Sequence, residues 1–121
     1  MSMEYPLDWK ETDRMLRRFS SSFEKAELVW MSPREFLSKV PHPRGSFPAV
    51  LNLEEGFDRG SLELVEKAYR TGRPMEPLLL DYVNFFRGYP SHEGRHRALV
   101  ALRLGVEKVP VVVVRHRGEV R

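Results

Sequence analysis

Six consecutive residues, Leu78-Leu79-Leu80-Asp81-Tyr82-Val83, do most to limit what this chain can become. The run is shorter than an ordinary helix and apolar at nearly every place. It reads as a β-strand buried on both faces. A second run at 109–114, Val-Pro-Val-Val-Val-Val, reads as a closing strand, with Pro110 tolerated near its start. Residues 25–31 alternate Ala26, Leu28 and Trp30 with Lys25, Glu27 and Val29, which predicts a third strand.

Helices fall between these strands. Asp8-Trp9-Lys10-Glu11 forms a capping box that opens a helix over residues 8–23, peripheral by its polar content. Ser32-Pro33-Arg34-Glu35 forms a second capping box, with proline at the first helical position, for a short helix over 33–40. Residues 41–60, rich in proline and glycine, read as a long loop. Residues 61–71 form a helix with Leu62, Val65 and Tyr69 on one stripe, stopped by Gly72. Residues 84–91 read as a loop, and 94–104 as a helix ended by Gly105. The expected core is Leu28, Phe36, Leu37, Leu64, Val65, Ala68, Leu79, Val83, Leu99, Leu102, Val111 and Val113. The expected class is α+β, a small mixed sheet with helices packed on it. Residues 1–24 are an N-terminal helical extension and residues 25–121 the domain proper.

Composition narrows the chemistry. At 121 residues the chain holds one domain. It has no cysteine, which removes disulfide scaffolds, thiolate zinc sites and cysteine nucleophiles. No apolar run reaches membrane-spanning length, and residues 1–10 lack a signal peptide's apolar stretch, so a cytoplasmic protein is expected. Residues 1–90 carry 13 basic and 14 acidic side chains; residues 91–121 carry 7 and 3. The excess of positive charge therefore lies in the last quarter, where a phosphate-bearing partner is favoured.

Part of that charge sits in Ser91-His92-Glu93-Gly94-Arg95-His96-Arg97. A helix that opens here presents unpaired N–H groups and a partial positive charge. Gly94 allows close approach of a ligand to the backbone and has no evident folding duty. Arg95 and Arg97 add forked donors suited to phosphate. The same letters satisfy H-E-x-x-H through His92, Glu93 and His96, the zinc-protease pattern. That chemistry needs one continuous helix through both histidines, and Pro90 and Gly94 argue against one. Phe85, Phe86 and Tyr89 flank the motif, with rings suited to stacking on a base or to capping a core. Arg115 and Arg117 are candidate nucleic-acid contacts on the basic tail.

The block from Gly94-Arg95-His96-Arg97 through Leu104-Gly105 to Val109-Pro110-Val111 resembles the phosphate-motif helix and closing strand of the ParB/sulfiredoxin-like superfamily. The family pattern is Gly-x-(His/Arg)-Arg, an alanine-rich helix, Leu-Gly, then Val-Pro-Val. Trp30 to Leu37 is similar to its opening strand and helix, and Ser61–Gly72 with Pro77–Leu80 to its middle step. About residues 25–115 are covered. The resemblance implies that Gly94, Arg95, His96, Arg97 and Ala98 bind the phosphates of a nucleoside triphosphate, ATP or CTP, or of DNA. It leaves Glu93 as the acid to hold Mg²⁺ or act as base; Glu93 and, from its place in the apolar strand just before the loop, Asp81 are the candidate catalytic carboxylates for nuclease, NTPase or phosphotransfer chemistry. Arg95 stands where partition proteins have Glu and sulfiredoxins have Cys, so the sulfiredoxin nucleophile is missing. After Val114 seven residues remain, so no helix-turn-helix domain is expected. The rival reading is a nucleotide- or DNA-binding module without turnover.

Overall fold

The computed structural model describes residues 3–118. Among these residues four α-helices and four strands follow in the order α1 (Trp9–Arg18), β1 (Glu24–Met31), α2 (Pro33–Ser38), α3 (Arg59–Thr71), β2 (Leu78–Phe86), β3 (Tyr89–Glu93), α4 (Arg95–Leu104) and β4 (Val109–His116). One 3-10 turn, Ala49–Leu51, interrupts the long loop before α3. The sheet order is β1-β4-β2-β3. β4 runs antiparallel to β1 and parallel to β2, while β3 pairs antiparallel with β2 at the edge. The two apolar runs thus lie side by side at the centre, with α4 inside the connection between them. The mixed α+β class follows.

Strand alternation splits the core in two. Leu78, Leu80, Val109, Val111 and Val113 face α2, α3 and α4 and pack with Phe36, Leu37, Tyr69, Ala98 and Ala101. Leu79, Val112 and Val114 face the other way and meet Met15 of α1, with Leu16, Phe19, Leu28 and Val83 around them. Each fully buried leucine or phenylalanine in these clusters contributes about 2 kcal/mol of hydrophobic stabilisation. Residues 3–24 belong to both clusters: Tyr5 is buried in the first and Met15 in the second. The segment before α1 is tied down by two backbone bonds, Met75 N–H to the Pro6 carbonyl (2.7 Å) and Asp8 N–H to the Met75 carbonyl (2.8 Å).

Several expectations change. Leu64 is 72% exposed rather than core. The packing face of α3 runs through Leu62, Val65, Ala68 and Tyr69, which leaves Leu64 on the outer side. α1 ends at Arg18 rather than near 23. The Ser20 hydroxyl accepts the Ala26 N–H and the Ser21 hydroxyl accepts those of Phe23 and Glu24, so serine side chains turn the chain into β1. α3 starts two residues early, because Asp58 caps it by accepting the Ser61 N–H at 2.8 Å. Residues 84–91 are no loop. β2 continues to Phe86, turns at Arg87-Gly88 and returns as β3. Pro90 is compatible with that strand because β3 is an edge.

Candidate functional site

α4 begins unlike the other helices. Asp8, Ser32 and Asp58 each cap their helix with a side-chain oxygen on a backbone N–H, whereas no side chain caps α4. Its N-cap is Gly94 at φ +117°, a conformation that L side chains rarely adopt. A Cβ at Gly94 would also stand 2.4 Å from Leu78 Cγ. The glycine therefore has a folding duty that the sequence did not disclose: it lets the start of α4 lie directly on β2. The first helical bond runs from the Ala98 N–H to the Gly94 carbonyl, 2.9 Å. Ala98, expected at the phosphate, is fully buried with its N–H so engaged. The amides of Arg95, His96 and Arg97 precede that bond and form the uncapped first turn.

The three side chains of that turn diverge. Arg97, expected on phosphate, reaches back under the N-terminal segment. Its Nη1 donates to the Glu76 carbonyl, to the Pro77 carbonyl at 3.2 Å and to the Tyr5 hydroxyl at 3.3 Å. Tyr5 donates in turn to the Glu76 carbonyl, and the Tyr69 hydroxyl to the Arg97 carbonyl at 2.9 Å. Burial raises the pKa of both phenols, so they stay protonated as donors. His96, also expected on phosphate, accepts the Asp58 N–H through Nε2 at 3.1 Å and meets the Phe57 ring edge-on. Burial first, and then the Arg95 cation, lower its pKa. A neutral ring with a bare Nε2 satisfies both facts. Arg95 turns toward the loop that begins at Pro41. Its Nη1 donates to the Pro41 carbonyl at 2.8 Å, which leaves the rest of the fork for another partner. Burial lowers its pKa, opposed by Glu93.

Arg95 lines a cleft of about 460 Å³ between the 41–46 loop and the β2–β3 hairpin. Arg44, Arg87 and His92 line it as well, with Tyr89 and Phe86, and among the described residues no carboxylate does. The loop is rigid at its root. His42 is buried, stacked on Phe47, and bonded through Nε2 to the Glu55 carbonyl (2.9 Å) and through Nδ1 to the Arg44 N–H (3.1 Å). Tyr89 bridges the two walls by donating to the Ser46 carbonyl at 3.3 Å. His92 has its pKa lowered by burial, opposed by its bond to the Pro90 carbonyl. Three guanidinium groups with no acid among them make an anion-attracting concavity. Arg44 and Arg87 were not singled out from sequence. Only the fold brings them to Arg95.

The carboxylates are placed otherwise than expected. Asp81 is 7% exposed and sits inside β2. Its Oδ1 accepts the Val83 N–H and its Oδ2 the Asn84 side-chain amide, both at 2.9 Å, at the register shift between Asp81 and Phe85. Both bonds hold the strand at that shift. Glu93 is exposed and pairs across the ladder with Leu79, on the α1 side, whereas His92 pairs with Leu80 on the other. His92 and His96 lie on a strand and a helix separated by Gly94, so H-E-x-x-H does not form one helical face. Among the described residues no group of three or more His, Asp or Glu converges as a metal site. Of the tail arginines, Arg115 stacks 4.2 Å over the Tyr82 ring, and Arg117 donates to the Ser21 carbonyl at 2.7 Å. That bond ties the end of β4 to the segment before β1.

Among the described residues no helix is long and apolar enough to cross a membrane. No family model matches the chain, and neither a curated protein nor a solved structure is detectably similar.

Proposed function

We propose that this chain is a phosphate-binding domain of ParB/sulfiredoxin-like type, taking a nucleoside triphosphate or the phosphates of a nucleic acid at the start of α4. One observation carries the reading. The only α-helix without a side-chain cap among those described opens beside a cleft lined by Arg44, Arg87 and Arg95 and by no acid. The Arg95, His96 and Arg97 amides and the Arg95 fork would hold the anion. His96 and Arg97 contribute through the backbone, since their side chains are engaged elsewhere.

Glu93 lies on the α1 side of the sheet and does not line the cleft, so in this reading Mg²⁺ would arrive only as the counter-ion that a triphosphate brings with it. An ion of this kind commonly takes one or two protein carboxylates and completes its shell with phosphate and water. Binding without turnover is favoured over nuclease, NTPase or phosphotransfer chemistry, because the Asp81 carboxylate is bonded within its own strand. The test is calorimetric titration with ATP, CTP and inorganic tripolyphosphate, with and without Mg²⁺. Saturable binding that Arg95→Ala weakens tenfold or more is expected. Absence of binding by all three and by DNA would overturn it. Phosphate release that stops in Glu93→Gln, with binding intact, would make the domain an enzyme.

A further inference from the structure

The β2–β3 hairpin carries features that phosphate binding alone leaves unexplained. Phe85 and Phe86 lie at its tip, 56% and 71% exposed. They are adjacent in a strand, so their rings leave the hairpin on opposite sides. Phe86 lines the arginine cleft, while Phe85 joins Tyr82, centroids 6.0 Å apart. The turn is Arg87-Gly88, with φ +55° and +85°. A two-residue turn with both φ values positive selects Asn, Asp or Gly at its first place. Arg87 is the one non-glycine residue with positive φ among those described. Turn formation does not call for arginine there. The side chain instead lies over the Phe86 ring, 5.2 Å from its centroid, and lines the cleft.

An exposed ring beside a row of guanidinium groups matches a strand whose bases are unpaired. Stacking needs a free base face, which a duplex withholds, and the phosphates follow the positive groove. Inorganic triphosphate has no base to stack and a nucleoside triphosphate has one, whereas a strand repeats phosphate and base along the groove. We infer that the cleft takes single-stranded nucleic acid, its phosphates on Arg44, Arg87 and Arg95 and a base stacked on Phe86. This rests on the phosphate reading above and adds the class of polymer.

The test is fluorescence anisotropy with labelled single strands of about 12 nucleotides, DNA and RNA in separate arms, against the same sequence as duplex. Tripolyphosphate is titrated in parallel. Single strand binding roughly tenfold tighter than duplex is expected, with Phe86→Ala weakening it by roughly tenfold. Phe86→Ala should weaken tripolyphosphate far less than the oligonucleotide, because the ring touches the phosphate site only through Arg87, and should leave the melting temperature unchanged, since the ring is exposed. Arg87→Asn should weaken the oligonucleotide while raising the melting temperature, the signature of an arginine kept against turn preference. Binding in either arm supports the inference, and the tighter arm names the polymer. Equal or tighter duplex binding, or indifference to Phe86→Ala while tripolyphosphate still binds, overturns the inference and spares the phosphate site. Absence of binding by tripolyphosphate, by ATP and CTP, and by every oligonucleotide overturns both.

Discussion

Arg97 and Arg95 stand two residues apart in the first turn of α4, yet they build opposite kinds of structure. On the Arg97 side the donors are closed upon the protein: Glu76, Pro77 and Tyr5 take them, and Tyr69 ties down the carbonyl. On the Arg95 side one donor holds the Pro41 carbonyl and the rest faces a cleft shared with Arg44 and Arg87. Identical side chains thus divide into a latch and an open fork because of what the chain lays beside each. Charge counted along a sequence does not separate the two. Only the neighbouring carbonyls do.

Substitutions should separate the sides by size of effect. The largest is expected between them, at Gly94→Ala. Left-handed backbone and the 2.4 Å approach to Leu78 should together cost about 3 kcal/mol in urea unfolding. A smaller residue at Leu78 should relieve part of it in a double-mutant cycle. Arg97→Met comes next, at about 2 kcal/mol, because two backbone carbonyls and the Tyr5 hydroxyl lose a charged donor. The folded variant should keep its tripolyphosphate affinity within about threefold. Arg95→Ala should reverse the pattern, costing about 1 kcal/mol or less in stability and tenfold or more in anion affinity. Comparable losses of affinity in the two arginine variants would erase the distinction.

The smallest effect is a pH dependence at His96. Its folded pKa lies below the free value near 6.5, so the unfolded chain takes up the proton first. Stability is therefore complete above about pH 6.5 and declines as pH falls toward the folded pKa, where the bond from the Asp58 N–H is lost. His92 acts in the same sense. His96→Gln should flatten the decline in part. An unchanged slope would remove His96 from the account.

Local physics made much of the fold legible. The capping boxes at Asp8 and Ser32 are realised as hydrogen bonds, and both apolar runs became central strands. The β2–β3 hairpin was hidden because Arg87-Gly88 is an unusual turn pair and proline, here Pro90, is uncommon within a strand. At the site, the sequence located the first turn of α4 but not the fate of its side chains. Asp81 looked available and is held by its own strand; Arg44, a loop residue, looked incidental and lines the cleft. The Asp81 bonds are local, to Val83 and Asn84, but the cleft depends on contacts between residues some 50 positions apart, such as Arg95 with Pro41. No local pattern encodes them.

The central claim is that the uncapped first turn of α4 seats an anion. Its most direct test follows the backbone amide resonances of the ¹⁵N-labelled chain during titration with tripolyphosphate, and then with ATP and CTP. The Arg95, His96 and Arg97 amides should shift together and saturably, with the capped turns of α1 and α3 still, and Arg95→Ala should weaken the response. Stationary resonances in that turn, or equal shifts at the capped helices, would contradict it.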